Sequence, residues 1–368
     1  MVMRISYIAE INIPNNSAYV QHVMKMCDEF SKNYQTTLFV ISKNNYSFAQ
    51  IKKDYLLRNN FKIICMANTL ILNSFTNRIR FYFFMKKNLV SSEHLIISRS
   101  IASSLMLSFF GIFNFLEIHN NLSGITKYLF KLFNFFKFNK KIFFIFIHKN
   151  LSKLLNVKKK YLILDDSVKI EDFYKKNKKN TFDCTYVGSL YKGKGLEIIE
   201  YLAKEFPHIN FHVFGSLETV DLTKKERKLY KNIIFHGFLP YYKIPSILMN
   251  SKILLMPYLE KVHVRSSNLE VSKFMSPLKL FEYLASRKII LASKLPVYSH
   301  ILKHNYNSIL ASPSDYYDWK NKFNKIIYNI AHYSYLKKNA YITAKKYTWK
   351  NRVEIIIEKY KEINFKKL

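Results

Sequence analysis

The chain reads as an α/β protein built from two Rossmann-like, doubly wound domains facing each other across a ligand cleft, with helices at the C-terminus. Three observations predict this. Short apolar runs alternate with amphipathic stretches along the whole chain, the pattern of βαβ units and parallel sheets. The alternation stops in the polar, lysine-rich segment 171–180 and then restarts, which marks a domain boundary. Five of the seven glycines fall between residues 188 and 237, and three of them, Gly188, Gly215 and Gly237, follow or end expected strands, where backbone must turn sharply or approach a ligand.

In order, the first half carries apolar strand-like runs at 4–9, 37–42, 61–66, 95–98, 113–118, 142–147 and 161–164. Between them, helical spacing of apolar residues predicts helices at 18–31, 47–59, 77–90, 101–110 and 128–138. The second half repeats the scheme, with strands at 183–187, 210–214, 233–235, 252–257, 289–293 and 308–311. Helices are expected at 196–206, 224–231, 244–250, 276–285 and 297–304, and long closing helices at 316–335 and 337–361, interrupted near 347–349. At 368 residues, the chain has room for more than one sizeable core. The expected division is 1–170, 171–345 and a terminal helix, 346–368, returning to the first domain.

The formal net charge is +34, with 59 Lys and Arg against 25 Asp and Glu. Lysines are spread along the chain, which is also rich in Ile, Asn, Phe and Tyr, so part of the surplus reflects the codon usage of an AT-rich genome. The remainder favours anionic partners: sugar nucleotides, lipid phosphates or inner-leaflet lipids. No continuous basic face interleaved with aromatics stands out, so no specific nucleic acid is expected. Cys27, Cys65 and Cys184 lack metal-ligand spacing and read as buried thiols of a reducing compartment. No signal peptide is visible. The longest uncharged run, 100–116, is shorter than the roughly 20 residues of a membrane span, and reads as a helix followed by a buried strand. The expected location is cytoplasmic, or peripheral on the cytoplasmic face of an anionic inner membrane. The basic, aromatic helix 128–138 suits a membrane surface by composition, but neighbouring strands need covering, so its apolar face is expected to meet the core.

Two stretches carry chemistry. In Ser276-Pro-Leu-Lys-Leu-Phe-Glu-Tyr-Leu-Ala285, Ser276 is placed as the N-cap and Pro277 at the first helical position, behind a strand and a long loop. Unpaired N–H groups and the positive dipole end make such a corner suited to phosphate, although many βα turns bind nothing. Gly188-Ser-Leu-Tyr-Lys-Gly-Lys-Gly195 is a flexible loop with Lys192 and Lys194 leading into a helix, suited to a diphosphate or to a plain βα connection. It matches neither the P-loop nor the dinucleotide spacing. In the first half, Glu117 and His119 close a strand. A histidine there can hydrogen-bond a sugar hydroxyl or cap its own loop. Arg99 ends another strand, and Asn16 and Ser17 lie in the loop after the first.

The glycine loop, Gly215 and Gly237, the 276–285 run, Ile290-Leu-Ala-Ser-Lys-Leu-Pro296, Asn307, Trp349, Arg352, Arg99 and Glu117-Ile-His119 together resemble glycosyltransferase family 4, the retaining GT-B group. The resemblance spans nearly the whole chain and is strongest over 186–296. It implies an acceptor-binding first domain and a nucleotide-sugar donor held mainly by the second, through Gly188, Ser189, Lys192, Lys194, Gly215, Ser276, Pro277, Leu278, Lys279 and Glu282. Lys194 matches the lysine on the donor diphosphate, and the backbone of Leu278 and Lys279 would meet the phosphates. Glu282 matches the ribose-binding second glutamate of the E-x7-E motif, and His119 the histidine beside the transferred sugar. His119, Lys194 and Glu282 are thus the candidate catalytic residues, with Asn16, Ser17, Arg99, Glu117 and His119 on the acceptor side. Phe274 stands where the family has its first glutamate. Ser189 stands where a basic residue follows the glycine, and Lys192 is the candidate to supply that charge. The implied product is a cell-envelope polysaccharide (lipopolysaccharide, capsule or O-antigen), built on a saccharide or lipid-linked acceptor. No cofactor and no metal are expected. A sugar-nucleotide epimerase or phosphorylase of the same architecture, and a basic nucleic-acid-binding protein, are the alternative readings.

Overall fold

A computed structural model describes residues 3–42, 46–66, 75–89, 94–158, 160–174, 181–216, 230–263 and 270–365. Residues 175–180 of the polar segment and 224–229 of the expected helix 224–231 lie outside them. The chain forms two compact units, Met1–Asp165 together with Trp349–Leu368, and Asp166–Thr348.

The first unit is built on β1 (Arg4–Ala9), β2 (Gln35–Ile41), β3 (Lys62–Met66), β4 (His94–Ser98), β5 (Asn114–Ile118), β6 (Ile142–Phe146) and β7 (Tyr161–Ile163). These make a parallel sheet of order β3-β2-β1-β4-β5-β6-β7. β5 and β6 are buried at every position, which is why they read as apolar runs rather than alternating ones. The helices are α1 (Ala18–Phe30), α2 (Phe48–Asp54), α3 (Phe75–Asn88), α4 (Ile101–Phe109), α5 (Gly124–Phe135) and α6 (Lys149–Leu154). The hydroxyls of Ser17, Ser47 and Ser100 accept from the backbone N–H groups of Val20, Gln50 and Ser103, which fixes where α1, α2 and α4 begin.

Differences from expectation have local causes. α2 stops at Asp54 instead of 59 because the Asp28 carboxylate accepts the backbone N–H groups of Arg58 and Asn59, both at 2.8 Å, drawing that stretch away from helical bonding. α5 starts at Gly124 and ends at Phe135, with Lys137 at φ +56° closing the turn. α6 was not expected; the His148 ring caps it by accepting the Asn150 N–H at 3.1 Å.

The second unit contains β8 (Phe182–Val187), β9 (Phe211–Phe214), β10 (Ile233–Gly237), β11 (Ser251–Met256), β12 (Ile289–Ser293) and β13 (Ile309–Ala311), parallel and ordered β10-β9-β8-β11-β12-β13. Its helices are α7 (Leu196–Glu205), α8 (Ile244–Met249), α9 (Leu278–Ala285), α10 (Tyr316–Tyr328) and α11 (Ser334–Ala344), and α12 (Trp349–Phe365) belongs to the first unit. Trp319, Phe323 and Ile326 of α10 pack on Phe206 and Phe211 in the core. The expected helix 297–304 is only a short 3-10 turn, Pro296–Tyr298. The Asn307 side chain accepts the Lys303 N–H and donates to the Ile301 carbonyl, occupying backbone groups that a continuing helix would use. The expected helix 316–335 breaks at Asn329. The partly buried Ile330 and Tyr333 pack on the core beyond the break, so apolar periodicity carried no sign of it.

In both sheets the strand order reverses beside the first strand of the unit, between β1 and β4 and between β8 and β11. Such switch points leave a crevice at the carboxyl ends of the strands, where doubly wound domains bind ligands.

Candidate active site

The two stretches with chemistry flank the switch point of the second unit. Gly188 follows β8, and the loop after the neighbouring β11 leads to α9. The Gly188 N–H donates to the Phe214 carbonyl and the Gly215 N–H to the Gly237 carbonyl, each at 2.8 Å. A Cβ on Gly215 would lie 2.1 Å from the Gly188 carbonyl oxygen, so glycine is what lets these strand ends meet.

α9 begins one residue later than the sequence suggests. Pro277, extended at φ −76° and ψ 128°, is itself the cap residue, and no side chain caps the helix. The expected N-cap, Ser276, instead accepts the Asp166 N–H at 3.0 Å through its hydroxyl. Tyr283 holds α9 on the sheet: its hydroxyl accepts the Val187 N–H at 3.0 Å and donates to the Leu255 carbonyl at 3.3 Å.

The side chain of Lys279, one residue into α9, turns in beneath Gly188. Its Nζ lies 3.9 Å from the Tyr186 ring centre and 5.1 Å from that of Tyr258. A Cβ on Gly188 would fall 2.5 Å from that Nζ. The ammonium is sealed from solvent and has no hydrogen-bond partner among the described residues. Lys194, 9% exposed, places its Nζ 4.7 Å from the Tyr258 ring. Burial pushes the Lys194 amine down to about 8. Burial and the neighbouring Lys194 charge push Lys279 well below the ordinary lysine value, with Glu282 opposing. The tyrosine faces offer partial compensation, and an uncapped helix N-terminus adds positive potential rather than relieving it.

Other residues expected on the donor side lie on the same loop and helix. Leu278 opens α9, and Glu282 lies one turn further on, 8% exposed. The Ser189 carbonyl accepts the Tyr186 hydroxyl at 2.6 Å. Lys192 is exposed on the loop, whereas the second charge beside Gly188 comes from Lys279. Phe274, in place of the motif glutamate, is buried.

In the first unit, Glu117 is enclosed rather than open to an acceptor. Its carboxylate accepts from Tyr7 Oη at 2.5 Å, lies 3.1 Å from His22 Nε2, and is paired with Arg352 of α12. Arg352 also donates to the carbonyls of Leu164 and Asp165 at 2.6 Å. Burial alone would raise the Glu117 pKa, but His22 and Arg352 hold it well below the carboxylate range. His119 lies beside this cluster, its Nε2 3.4 Å from Glu117 Oε1 and its ring edge-on to His22 at 4.6 Å. Burial, then the Arg99 charge, push His119 down to about 3, so the ring is neutral at physiological pH. Arg99 stacks over the Tyr19 ring at 4.1 Å, and its Nη1 has no hydrogen-bond partner among the described residues. Ser17 is engaged as the α1 cap, and Asn16 is exposed.

Sequence reasoning missed His22, the pairing of Glu117 with Arg352, and the inward side chain of Lys279. His22 sits mid-helix without a motif. The signal for Lys279 was present, a lysine one residue inside a helix that begins at a switch point.

Residues 168–343, nearly all of the second unit, match the family described as Glycosyl transferases group 1. No curated protein matches the chain by sequence. Among solved structures, HepE of Anabaena, determined with UDP and glucose, superposes with a TM-score of 0.72 at 13% identity, over 98% of this chain and 99% of that one. A glycosyltransferase from Rickettsia africae gives 0.74 at 14%, over 98% of each. The lipopolysaccharide outer core galactosyltransferase WaaB gives 0.61 at 15%, over 97% and 100%. At these identities the superpositions establish the fold, which is GT-B with C-terminal helices. With a group 1 domain forming its second unit, the protein is an enzyme of the glycosyltransferase class.

Proposed function

We propose that the protein transfers a sugar from a nucleoside-diphosphate sugar to a saccharide or lipid-linked acceptor in cell-envelope polysaccharide synthesis, with retention at the anomeric carbon. The observation that carries the donor assignment is the sealed Lys279 ammonium beside Lys194 at the uncapped start of α9. Two adjacent buried cations are unfavourable even with Glu282 opposing, and a bound diphosphate adds counter-charge. As the C1–O bond breaks, the sugar gains oxocarbenium character and negative charge collects on the departing diphosphate. Lys194, Lys279 and the first amides of α9 stabilise that charge where it develops. Glu282 is the acceptor for the ribose hydroxyls. In the first unit, neutral His119, with Arg99 nearby, is suited to hydrogen-bond a sugar hydroxyl. HepE, solved with UDP, and WaaB, a lipopolysaccharide galactosyltransferase, support this class of donor and product.

Isothermal titration with a panel of UDP-, GDP- and ADP-sugars tests the reading. Binding of at least one donor is expected, unchanged by EDTA because lysines and the helix dipole supply the positive charge. Failure of every donor to bind overturns it.

A further inference from the structure

The aromatic helix α5 does not face the core. Only Phe130 is buried, against Phe144 at 6.0 Å between ring centres. Ile125, Tyr128, Leu132 and Phe135, spaced by three and four residues along one stripe, are 65%, 73%, 49% and 79% exposed. The expectation that the neighbouring strands would draw this stripe inward fails because Phe130 alone supplies the inward contact.

The stripe continues into a ridge of touching rings. Phe135 meets Phe136 at 5.1 Å, Phe136 stacks on Phe138 at 5.6 Å, and Phe138 meets Phe109 of α4 at 5.2 Å. Phe109 then meets Phe110 at 5.3 Å. Phe109, Phe110, Phe136 and Phe138 are all exposed. An exposed apolar surface this continuous is unusual on a protein that meets only water.

Its described surroundings carry positive charge. Lys127, Lys131, Lys137, Lys140 and Lys141 are exposed around the rings, and Lys86 of α3 lies 4.6 Å over the Phe110 ring. No Asp or Glu occurs between Glu117 and Asp165, and Glu117 itself is enclosed. A second copy of this face would bring lysine against lysine, and a neutral apolar partner would leave those charges unanswered. The face therefore fits one occupant, an anionic bilayer surface, with the rings at headgroup depth and the lysines against lipid phosphates. We propose that α5 and the 135–138 ridge form a membrane-docking face by which the first unit lies on anionic lipid. The inference is independent of the donor site, which lies in the second unit.

Co-sedimentation of the full chain with phosphatidylcholine vesicles, with and without phosphatidylglycerol, tests it. Binding is expected only to the anionic vesicles and falls as salt rises. Lys127→Glu and Lys131→Glu should each weaken partitioning about fivefold or more, and Tyr128→Ser with Phe135→Ser should abolish it. Both pairs sit at exposed positions, so melting temperature and nucleotide affinity should remain at wild-type values. Equal binding to neutral and anionic vesicles overturns the proposal. So does wild-type partitioning by the variants, or sedimentation as a dimer that dissociates in Tyr128→Ser/Phe135→Ser without any lipid binding.

Discussion

Each unit buries a charged cluster near its switch point, but the two are built in opposite ways. Around Glu117 the charges are paired: one carboxylate takes Tyr7, His22 and Arg352, and Arg352 Nη1 donates to the carbonyls of Leu164 and Asp165. Around Lys279 the answer is partial: Glu282 opposes the loss of its charge, and its ammonium has no hydrogen-bond partner among the described residues. Its ammonium and that of Lys194 lie against tyrosine rings at a helix start that is itself positive. A closed cluster tethers α12 to the first sheet, whereas an open one stores unfavourable energy until an anion arrives. Burial of charge alone therefore does not mark a candidate site; a sealed ammonium with no hydrogen-bond partner among the described residues does.

Substitutions separate the two clusters. Arg352→Ala has the largest expected effect, because it leaves Glu117 buried and unpaired; it should destabilise the first unit by about 3–5 kcal/mol, seen in urea denaturation. Arg352→Ala with Glu117→Gln should recover part of that loss. A loss no larger than that of an exposed arginine would show that the cluster is not a coupled unit. Lys279→Met should act in the reverse sense, leaving the ligand-free protein as stable or more so. Its UDP affinity should fall about 30-fold, roughly the 2 kcal/mol of a lost buried charge contact. Wild-type affinity in both Lys279→Met and Lys194→Ala would remove the pair from the donor site.

The pH dependence follows from the depressed amines. Lys194 titrates near 8 instead of 10.5, so between those values the unfolded chain holds more protons than the empty folded protein. Stability of the ligand-free protein from this group should rise with pH across that window. Donor binding needs the protonated amine, so affinity should fall above about pH 8, by up to tenfold per pH unit for one linked proton. A flat affinity profile from pH 7 to 9.5, measured by titration calorimetry, would contradict this. The smallest effect belongs to Lys192→Ala: its charge is exposed and screened, so UDP affinity should change by less than about twofold.

The sequence by itself determined the class of fold and the order of strands and helices. Central parallel strands must be apolar on both faces, and that requirement is written in runs such as Ile142–Phe146. It also determined the two stretches that flank the proposed donor site, because glycines at strand ends and a proline at a helix start have backbone meanings that do not depend on distant residues. Three decisions were left to the tertiary structure. Ser276 looked like a cap, but Asp166 lies far away in sequence and takes its hydroxyl. Lys192 and Lys279 are both lysines near glycines, and only packing under Gly188 shows which of them is sealed. The periodicity of α5 shows that it has an apolar face, but only the position of Phe130 against β6 shows that the face turns outward. Local patterns record what a backbone can do next, whereas the energy of a charge or a ring is set by whatever the fold places beside it.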